Sequence, residues 1–356
     1  MTSESLQPLV SVGMPVYNCA EKTLRRAIDS VLSQDYLNFE LIISDNGTTD
    51  DTGSICLALA KQDPRIAYIR QPRNLGPNWN FNHVVSLAKG KYFMRMSHDD
   101  VRATTYLTKC VASLEADSEA VLSHSYTAAF YGDLSNVACI QTFDTLIGVQ
   151  NPRKRFMRAM KQLPATAFDG VFRTETLLRK TRLLQSYLSS DVVLTSEIAL
   201  HGAFVQVPEV LFWRSGKSIL PSPQEVYRWL GQDTPLSRLK RPFVVLLLNH
   251  LRSVRRSPLT LLEQVALSLQ IIAHVCKNTL VKMGFRSIIA VMGEKCPAWI
   301  LRMMIARSSN NPNIRMLKPP LDLPPALHPT WRFLDHRNLD KAIALQRKLD
   351  AKLFSS

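Results

Sequence analysis

Absences narrow the reading of this 356-residue chain first. The six cysteines, Cys19, Cys56, Cys110, Cys139, Cys276 and Cys296, are scattered with no close pair. That spacing excludes a zinc or redox motif and argues against a disulfide framework, so a reducing, cytoplasmic setting is expected. No basic stretch followed by an apolar run opens the chain, and no signal peptide is expected. No uninterrupted apolar run approaches the roughly 18 residues of a membrane span. The longest, Phe243 to Leu248, is far too short. No Gly-x-Gly-x-x-Gly follows the first apolar strand, and no Gly-x-x-x-x-Gly-Lys-Ser/Thr occurs, so neither familiar phosphate loop is supported. No internal repeat of solenoid length is present.

Acidic residues are also scarce in one place. Residues 221–356 hold 21 Lys+Arg against 8 Asp+Glu, whereas residues 1–220 hold 23 against 21. The net charge of +15 is therefore almost all in the tail. A basic tail implies an anionic surface as partner. Nucleic acid is not expected, because no recognisable reading motif accompanies the charge. Hydrophobic content of 46% and charged content of 21% are those of an ordinary folded protein.

What is present begins as alternation. Leu9 to Met14 reads as a buried strand, broken by the loop Pro15-Val16-Tyr17-Asn18. A helix is expected over 21–33, with Leu24, Ala27, Ile28, Val31 and Leu32 on one face. Strand 39–44 ends in the turn Asp45-Asn46-Gly47. Helix 50–62, strand 66–69, helix 78–88 and strand 92–96 follow. This spacing argues for parallel strands joined by right-handed crossovers. Further on, a strand is expected at 120–125, and helices over 151–161, 174–185 and 189–201. Two strands, 204–207 and 210–213, would flank Pro208-Glu209. Pro221 and Pro223 mark a boundary between a domain of residues 1–220 and a basic, mainly helical extension, 221–356. Helices are expected there at 241–252, 259–275, 281–292, 297–306 and 335–354, with an extended arm over 308–330.

Four polar groups fall at the carboxyl ends of the first four strands, which form one rim in a parallel sheet and are where ligands bind. They are Pro15 to Asn18, Asp45 to Gly47, Arg73-Asn74-Leu75-Gly76 and His98-Asp99-Asp100. Adjacent carboxylates repel, so Asp99 and Asp100 call for a cation or hydroxyls between them. A divalent metal carrying a diphosphate would satisfy both. Taken singly, each group has a plainer reading: a turn, or an Asp capping a helix.

The order and spacing of these segments resemble family 2 glycosyltransferases of the GT-A fold. The resemblance runs through Val10 to Asn18, Ser30 to Tyr36, Phe39 to Thr52, Arg73 to Gly76, Ser97 to Asp100, Ser190 to Gly202 and Val207 to Phe212. It implies an α/β fold, a Rossmann-like mixed sheet flanked by helices, and an inverting, nucleotide-sugar-dependent enzyme. The acceptor would be a hydroxyl on a glycan or glycolipid, and the cofactor Mn²⁺ or Mg²⁺. Pro15, Val16, Tyr17, Asn18, Asp45, Asn74 and Asp99 would bind the nucleotide, and Asp99 and Asp100 the metal. Asp191 matches the catalytic base, with the first turn of its own helix as the plainer reading. Glu197 is a weaker substitute. His98, Arg173 and Arg214 would contact diphosphate or acceptor, His98 being equally readable as a loop histidine. Phe168 to Arg173 would help form the acceptor side. Two departures stand: Ser190 occupies the first place of an acid pair, and Trp213 to Lys217 carries no histidine. The rival from another class is an inert GT-A-like glycan-binding or scaffold protein. In the extension, Leu259 to Leu267 and nearby arginines fit either a helical subdomain on the core or an interfacial helix on an anionic membrane.

Overall fold

The computed structural model describes residues 7–142, 146–161, 167–187, 189–216 and 242–292. The expected helix 297–306, arm 308–330 and helix 335–354 lie outside them.

Alternating apolar residues build the first half. In β1 (Val10–Val16), Val10, Val12, Met14 and Val16 point to one side of the sheet and are fully buried. They meet the apolar face of α1 (Glu21–Leu32), carried by Leu24, Ala27, Ile28 and Val31. Strands β2 (Phe39–Asp45), β3 (Ile66–Arg70) and β4 (Tyr92–Arg95) run parallel to β1 in the order β3-β2-β1-β4. The crossovers are α1, α2 (Thr52–Gln62) and α3 (Pro77–Ser86). The opposite side of the sheet buries Ile42 and Phe93 against Phe81, Val84 and Val85 of α3.

The first strand runs two residues further than its sequence suggests. Pro15 pairs with Ser44 and Val16 with Asp45. Pairing with β4 ends at Gly13, whose carbonyl accepts from Met96 N–H. Backbone groups alternate sides along a strand, so the missing N–H of Pro15 points where β4 has already turned away. The proline costs no ladder bond there.

The second half makes the sheet mixed. Strands β5 (Val101–Arg102), β6 (Ala120–Phe130), β7 (Val137–Gln141), β8 (Val171–Arg173) and β9 (Ala203–Ser215) complete it. Beyond β4 the order is β8-β6-β9-β5, with β8 antiparallel to both β4 and β6. The two short strands expected around Pro208 are one strand. Its register slips between Val207 and Val210, so Pro208 and Glu209 form a bulge opposite Ser125 and Tyr126. Helix α4 (Tyr106–Ala116) covers β6 and β9. The helix expected over 174–185 is only a π-turn, Thr176–Lys180; residues 181–185 are irregular.

Helices α5 (Pro152–Lys161) and α6 (Ser190–Ile198) pack with two helices of the extension, α7 (Pro242–Arg255) and α8 (Leu261–Met292). The expected helices 259–275 and 281–292 are one. Phe156, Leu200, Val254, Leu267 and Ile271 form this buried cluster. Arg182 donates to Asn249 Oδ1 at 2.9 Å, and Arg256 lies 3.9 Å from Glu197. Helices α7 and α8 are therefore packed onto the α/β half. No helix among the described residues is long and apolar enough to cross a membrane.

Arg173 is corrected by this architecture. It pairs with Tyr92 at the start of β4, the end of the sheet away from the rim. Its guanidinium donates to the carbonyls of Ala120 at 2.6 Å, Leu114 at 2.6 Å and Asp117 at 3.2 Å. It closes the carboxyl end of α4 and is not available to a diphosphate. Replacing Arg173 with Ala strips several buried carbonyls of their donor. It should lower unfolding free energy by about 2–4 kcal/mol in a urea titration, while the folded fraction keeps its nucleotide affinity.

Candidate active site

The rim is assembled by polar residues that tie the loops after β1, β2 and β3 together. Asp45 ends β2 fully buried. Its Oδ1 accepts from the Thr48 N–H at 2.8 Å; its Oδ2 accepts from Thr48 Oγ1 at 3.0 Å and Tyr68 O–H at 2.7 Å. Arg70 Nε stands 3.7 Å away. Next to it, Asn46 Nδ2 donates to Asn74 Oδ1 at 2.9 Å, and Asn46 Oδ1 accepts from the Leu75 N–H at 2.9 Å. Gly47 makes this approach possible. Its φ is +72°, and a Cβ there would lie 2.6 Å from the Arg73 backbone. On the other side, Asn18 sits in the left-handed region, with φ 45°. Its Oδ1 accepts from the Thr49 N–H at 3.0 Å. Asn80, buried in α3, donates to the Ser44 carbonyl at 2.9 Å and leaves its own Oδ1 without a partner.

The expected nucleotide residues are thus adjacent but not alike. Tyr17, Asn18 and Asn74 are exposed, and Pro15 is half-buried. The Val16 side chain belongs to the core, so only its backbone faces the rim. Asp45 already accepts from Thr48 and Tyr68, which makes it a fixed anchor of that turn.

After β4 the chain turns through His98-Asp99-Asp100 and enters β5, not a helix. The helix-capping reading therefore falls. Asp99 is half-buried and Asp100 is buried. Asp100 Oδ1 accepts from the Ser215 N–H at 2.9 Å, which fastens the turn to the end of β9. A third carboxylate, Asp169, is buried nearby in a short turn before β8. Burial, then repulsion from Asp169 and Asp99, pushes the Asp100 carboxyl up to about 6, against the pull of Arg102 and Arg214.

Asp169 was not foreseen as a charge partner. Its carboxylate pairs with Arg95 at the end of β4. Its carbonyl accepts from Arg102 Nη2 at 3.0 Å and from Tyr106 O–H at 3.3 Å. Arg102 is 1% exposed, with its guanidinium stacked 3.4 Å above the Phe212 ring and two of its nitrogens unpartnered. A search for isolated basic residues at strand ends could have found Arg95 and Arg102. The partner lies 74 residues beyond Arg95, and no local pattern announces it.

Asp191 lies in the first turn of α6, whose start is set by Ser189 in the left-handed region. Burial raises its carboxyl above the ordinary range. The N–H groups of Val192 and of Asp191 itself, then Arg95 and Arg214, oppose that rise. Arg214 therefore acts on both Asp191 and Asp100, while Arg95 acts on Asp191 and Asp169 on Asp100. Glu197 points elsewhere: it is buried against the Arg182 N–H and Arg256 of the helical layer. Its position excludes it as a substitute for Asp191.

No group of three or more His, Cys, Asp or Glu residues able to hold a metal occurs among the described residues. The residues do fit a cation brought by a diphosphate. Asp99 and Asp100 supply two hard oxygen donors in a crowd of carboxylates that repel one another, and the ligand's oxygens and water would complete the shell.

Known proteins resemble this chain over part of its length. The family model for glycosyl transferase family 2 matches residues 11–180. A putative glycosyltransferase, EpsE, of Bacillus subtilis is 42% identical over 113 residues, 30% of this chain and 39% of its own length. Glycosyltransferase GlyG of Streptococcus pneumoniae is 32% identical over 122 residues, 34% of this chain and 40% of its own. The match thus spans about two-fifths of these relatives. Among solved structures, S. aureus TarS in complex with UDP-GlcNAc superposes with a TM-score of 0.54 at 14% identity, covering 74% of this chain and 71% of that one. A mannosyltransferase of Pyrobaculum calidifontis, in complex with GDP-Man and Mn²⁺, gives 0.50 at 16% identity, over 98% and 88%. These likenesses establish the GT-A fold.

The Asp100 environment has a measurable sign. Its folded pKa is raised, so the protonated form is stabilised by folding. That advantage is complete below pH ~4, the unfolded value, and is lost as pH rises through about 6. Asp100→Asn should therefore stabilise the unliganded protein at pH 7.5, on the order of 1–3 kcal/mol. At pH 4 it should add nothing. Denaturant titrations at the two pH values decide it.

Proposed function

We infer the activity of this chain from its membership, over residues 11–180, of glycosyl transferase family 2. It moves a sugar from a nucleotide-sugar donor to a hydroxyl of a glycan or lipid-linked acceptor, with inversion at the anomeric carbon. The single observation that carries this is the rim itself. It gathers buried Asp45, the polar loops after β1 and β3 and the Asp99-Asp100 turn at the carboxyl ends of the parallel strands, while Arg214 acts on both Asp100 and Asp191, a carboxylate of raised pKa.

The nucleoside lies against Tyr17, Asn18, Asp45 and Asn74. The Asp45 carboxylate orders the 45–48 turn and is fully buried, so its contact to the base needs the side chains that cover it to shift. Asp99 and Asp100 would hold Mn²⁺ or Mg²⁺, which when bound neutralises charge on the departing diphosphate. Arg214, next to last in β9, and His98, in the turn after β4, provide positive charge and a donor to the diphosphate.

Asp191 removes the proton from the acceptor hydroxyl as its oxygen attacks the anomeric carbon. A base works best with a pKa near the working pH, provided it is still ionised. Burial raises Asp191 toward that value, and Arg95 and Arg214 limit the rise. TarS binds UDP and UDP-GlcNAc, and the archaeal neighbour binds GDP-Man with Mn²⁺. Both support a pyrimidine or purine nucleoside diphosphate donor here. The acceptor reaches the protein at a membrane face, where peripheral contact of the basic extension with anionic lipid concentrates it.

Thermal shifts with UDP, GDP and TDP, each with Mn²⁺ and with chelator, test the donor site. A ligand at about 100 times its dissociation constant adds about 2.7 kcal/mol. One nucleotide should shift the melting temperature only with metal, and Asp100→Asn should abolish that. No shift with any of them leaves the inert scaffold as the reading.

Asp191→Asn should bind donor normally and lower turnover by about 10²–10⁴-fold. The wild-type rate should rise with pH through an acid limb placed above the ordinary carboxylate range, and the variant should lack that limb. Equal turnover in the variant would remove Asp191 from the chemistry.

A further inference from the structure

Helix α8 presents three faces. At 3.6 residues per turn, Leu267 and Ile271 fall on the face buried against Phe156, Leu200 and Val254. Gln270, Ala273 and His274 fall on a second face, which lines a cleft of about 520 Å³ shared with Arg153, Lys154, Met157 and Lys161 of α5. Leu261, Leu262, Val265, Leu269 and Ile272 fall on the third, 75%, 83%, 51%, 62% and 38% exposed. The cleft and the apolar stripe are therefore neighbours on one open surface. The stripe runs about 17 Å along the helix.

The charge in the cleft is one-sided. Helix α5 holds Arg153, Lys154, Arg155, Arg158 and Lys161 and no acid. Arg155 turns inward and donates to the carbonyls of Ala199, Val149 and Gln150. Lys154, Arg158 and Lys161 are exposed. The acid of α8 at this end, Glu263, accepts from the Thr260 N–H at 3.1 Å and hydroxyl at 3.0 Å, and Arg153 stands 4.0 Å away. That carboxylate is engaged in capping the helix.

We propose that the α5–α8 cleft binds the phosphate of an anionic phospholipid headgroup while the stripe Leu261 to Ile272 lies in the acyl boundary of the same bilayer. An exposed apolar ladder beside a basic groove matches an amphiphile that is anionic at one end and apolar at the other. A second copy of the chain fits poorly, because it would bring a like-charged α5 to the same place. The surface belongs to a helix packed on α5, which packs in turn on the helix carrying Asp191. Docking there would set the catalytic half against the bilayer at a fixed angle. The inference rests on the cleft and stripe alone and needs no donor sugar.

The full chain is floated with vesicles of phosphatidylcholine, and with vesicles containing roughly a third phosphatidylglycerol, at near-physiological salt. Two double variants change exposed residues only: Lys154→Glu with Lys161→Glu, and Leu262→Gln with Leu269→Gln. Binding should occur with the anionic vesicles only, and each double variant should weaken it about tenfold or more. Both variants should keep the metal-dependent nucleotide shift, which separates loss of docking from loss of the donor site. Wild-type levels of flotation in either variant would overturn the proposal, since another surface would then carry the binding. So would equal flotation with neutral vesicles, or none with either. A stripe variant that dissolves a dimer without changing flotation would assign the stripe to self-association. Millimolar inorganic phosphate that protects wild type and the stripe variant alike, with no flotation, would make the cleft a free-phosphate site.

Discussion

Everything at the rim depends on how the chain tolerates three carboxylates in one buried place. Asp100 and Asp169 are both almost wholly inside, and Asp99 adjoins them. Buried charges survive only when paired or neutralised. Arg95 pairs with Asp169, Arg102 binds its carbonyl, and Arg214 lies close enough to lower Asp100. The same pairs tie β4, β5, β8 and β9 at one point, so the electrostatic solution is also the structural one. Asp100 is left with the least compensation, and its carboxyl rises in consequence. Asp100 is thus the carboxylate whose charge the proposed divalent metal would offset most.

The geometry that collects these groups comes from the sheet. Four parallel strands direct their carboxyl ends to one edge, and the loops that leave them would diverge without cross-ties. Asn18 bonds to Thr49, Asn46 to Asn74 and Leu75, and Asp45 to Thr48 and Tyr68. The ties to Thr49, Leu75 and Thr48 use a short polar side chain to satisfy a backbone N–H that no ladder reaches, and those to Asn74 and Tyr68 join side chains. Asn80 does the same from below, through the Ser44 carbonyl. The rim is rigid because its polar residues hold one another, and Tyr17, Asn18 and Asn74 remain exposed on it.

Much of this was legible in the sequence, and the exceptions share a cause. Strands β1 to β4 and their helices are local: period-2 apolar runs, a helix face and a turn signal. Their parallel order follows from the crossovers. The rim residues were readable because they sit immediately after those strands. Arg173 misled because its number says nothing about which end of β8 it occupies; antiparallel pairing with β4 sends it away from the rim. Asp169 was missed as a charge partner because its pairing is decided across the sheet. The slip at Pro208 and the shortened helix after Glu175 are likewise set by tertiary register, which overrides local pattern. The helices of the extension were legible as helices, yet their burial on α5 and α6 was not, since an amphipathic face does not name what covers it.

The proposed base shows why the arginines matter beyond pairing. A carboxylate buried without compensation would hold its proton at neutral pH and accept none. One surrounded by several close cations would stay ionised but be a weak base. Asp191 sits between these limits: burial lifts it, while two N–H groups at the start of α6, Arg95 and Arg214 draw it back. Arg95 is itself largely spoken for by Asp169, so its field at Asp191 is reduced. Deleting the Asp169 carboxylate would leave Arg95 without its ion-pair partner, which should deepen its pull on Asp191 and weaken the proposed base. The proposed base is thus tied, through Arg95, to the ion pair that joins β4 to the turn before β8.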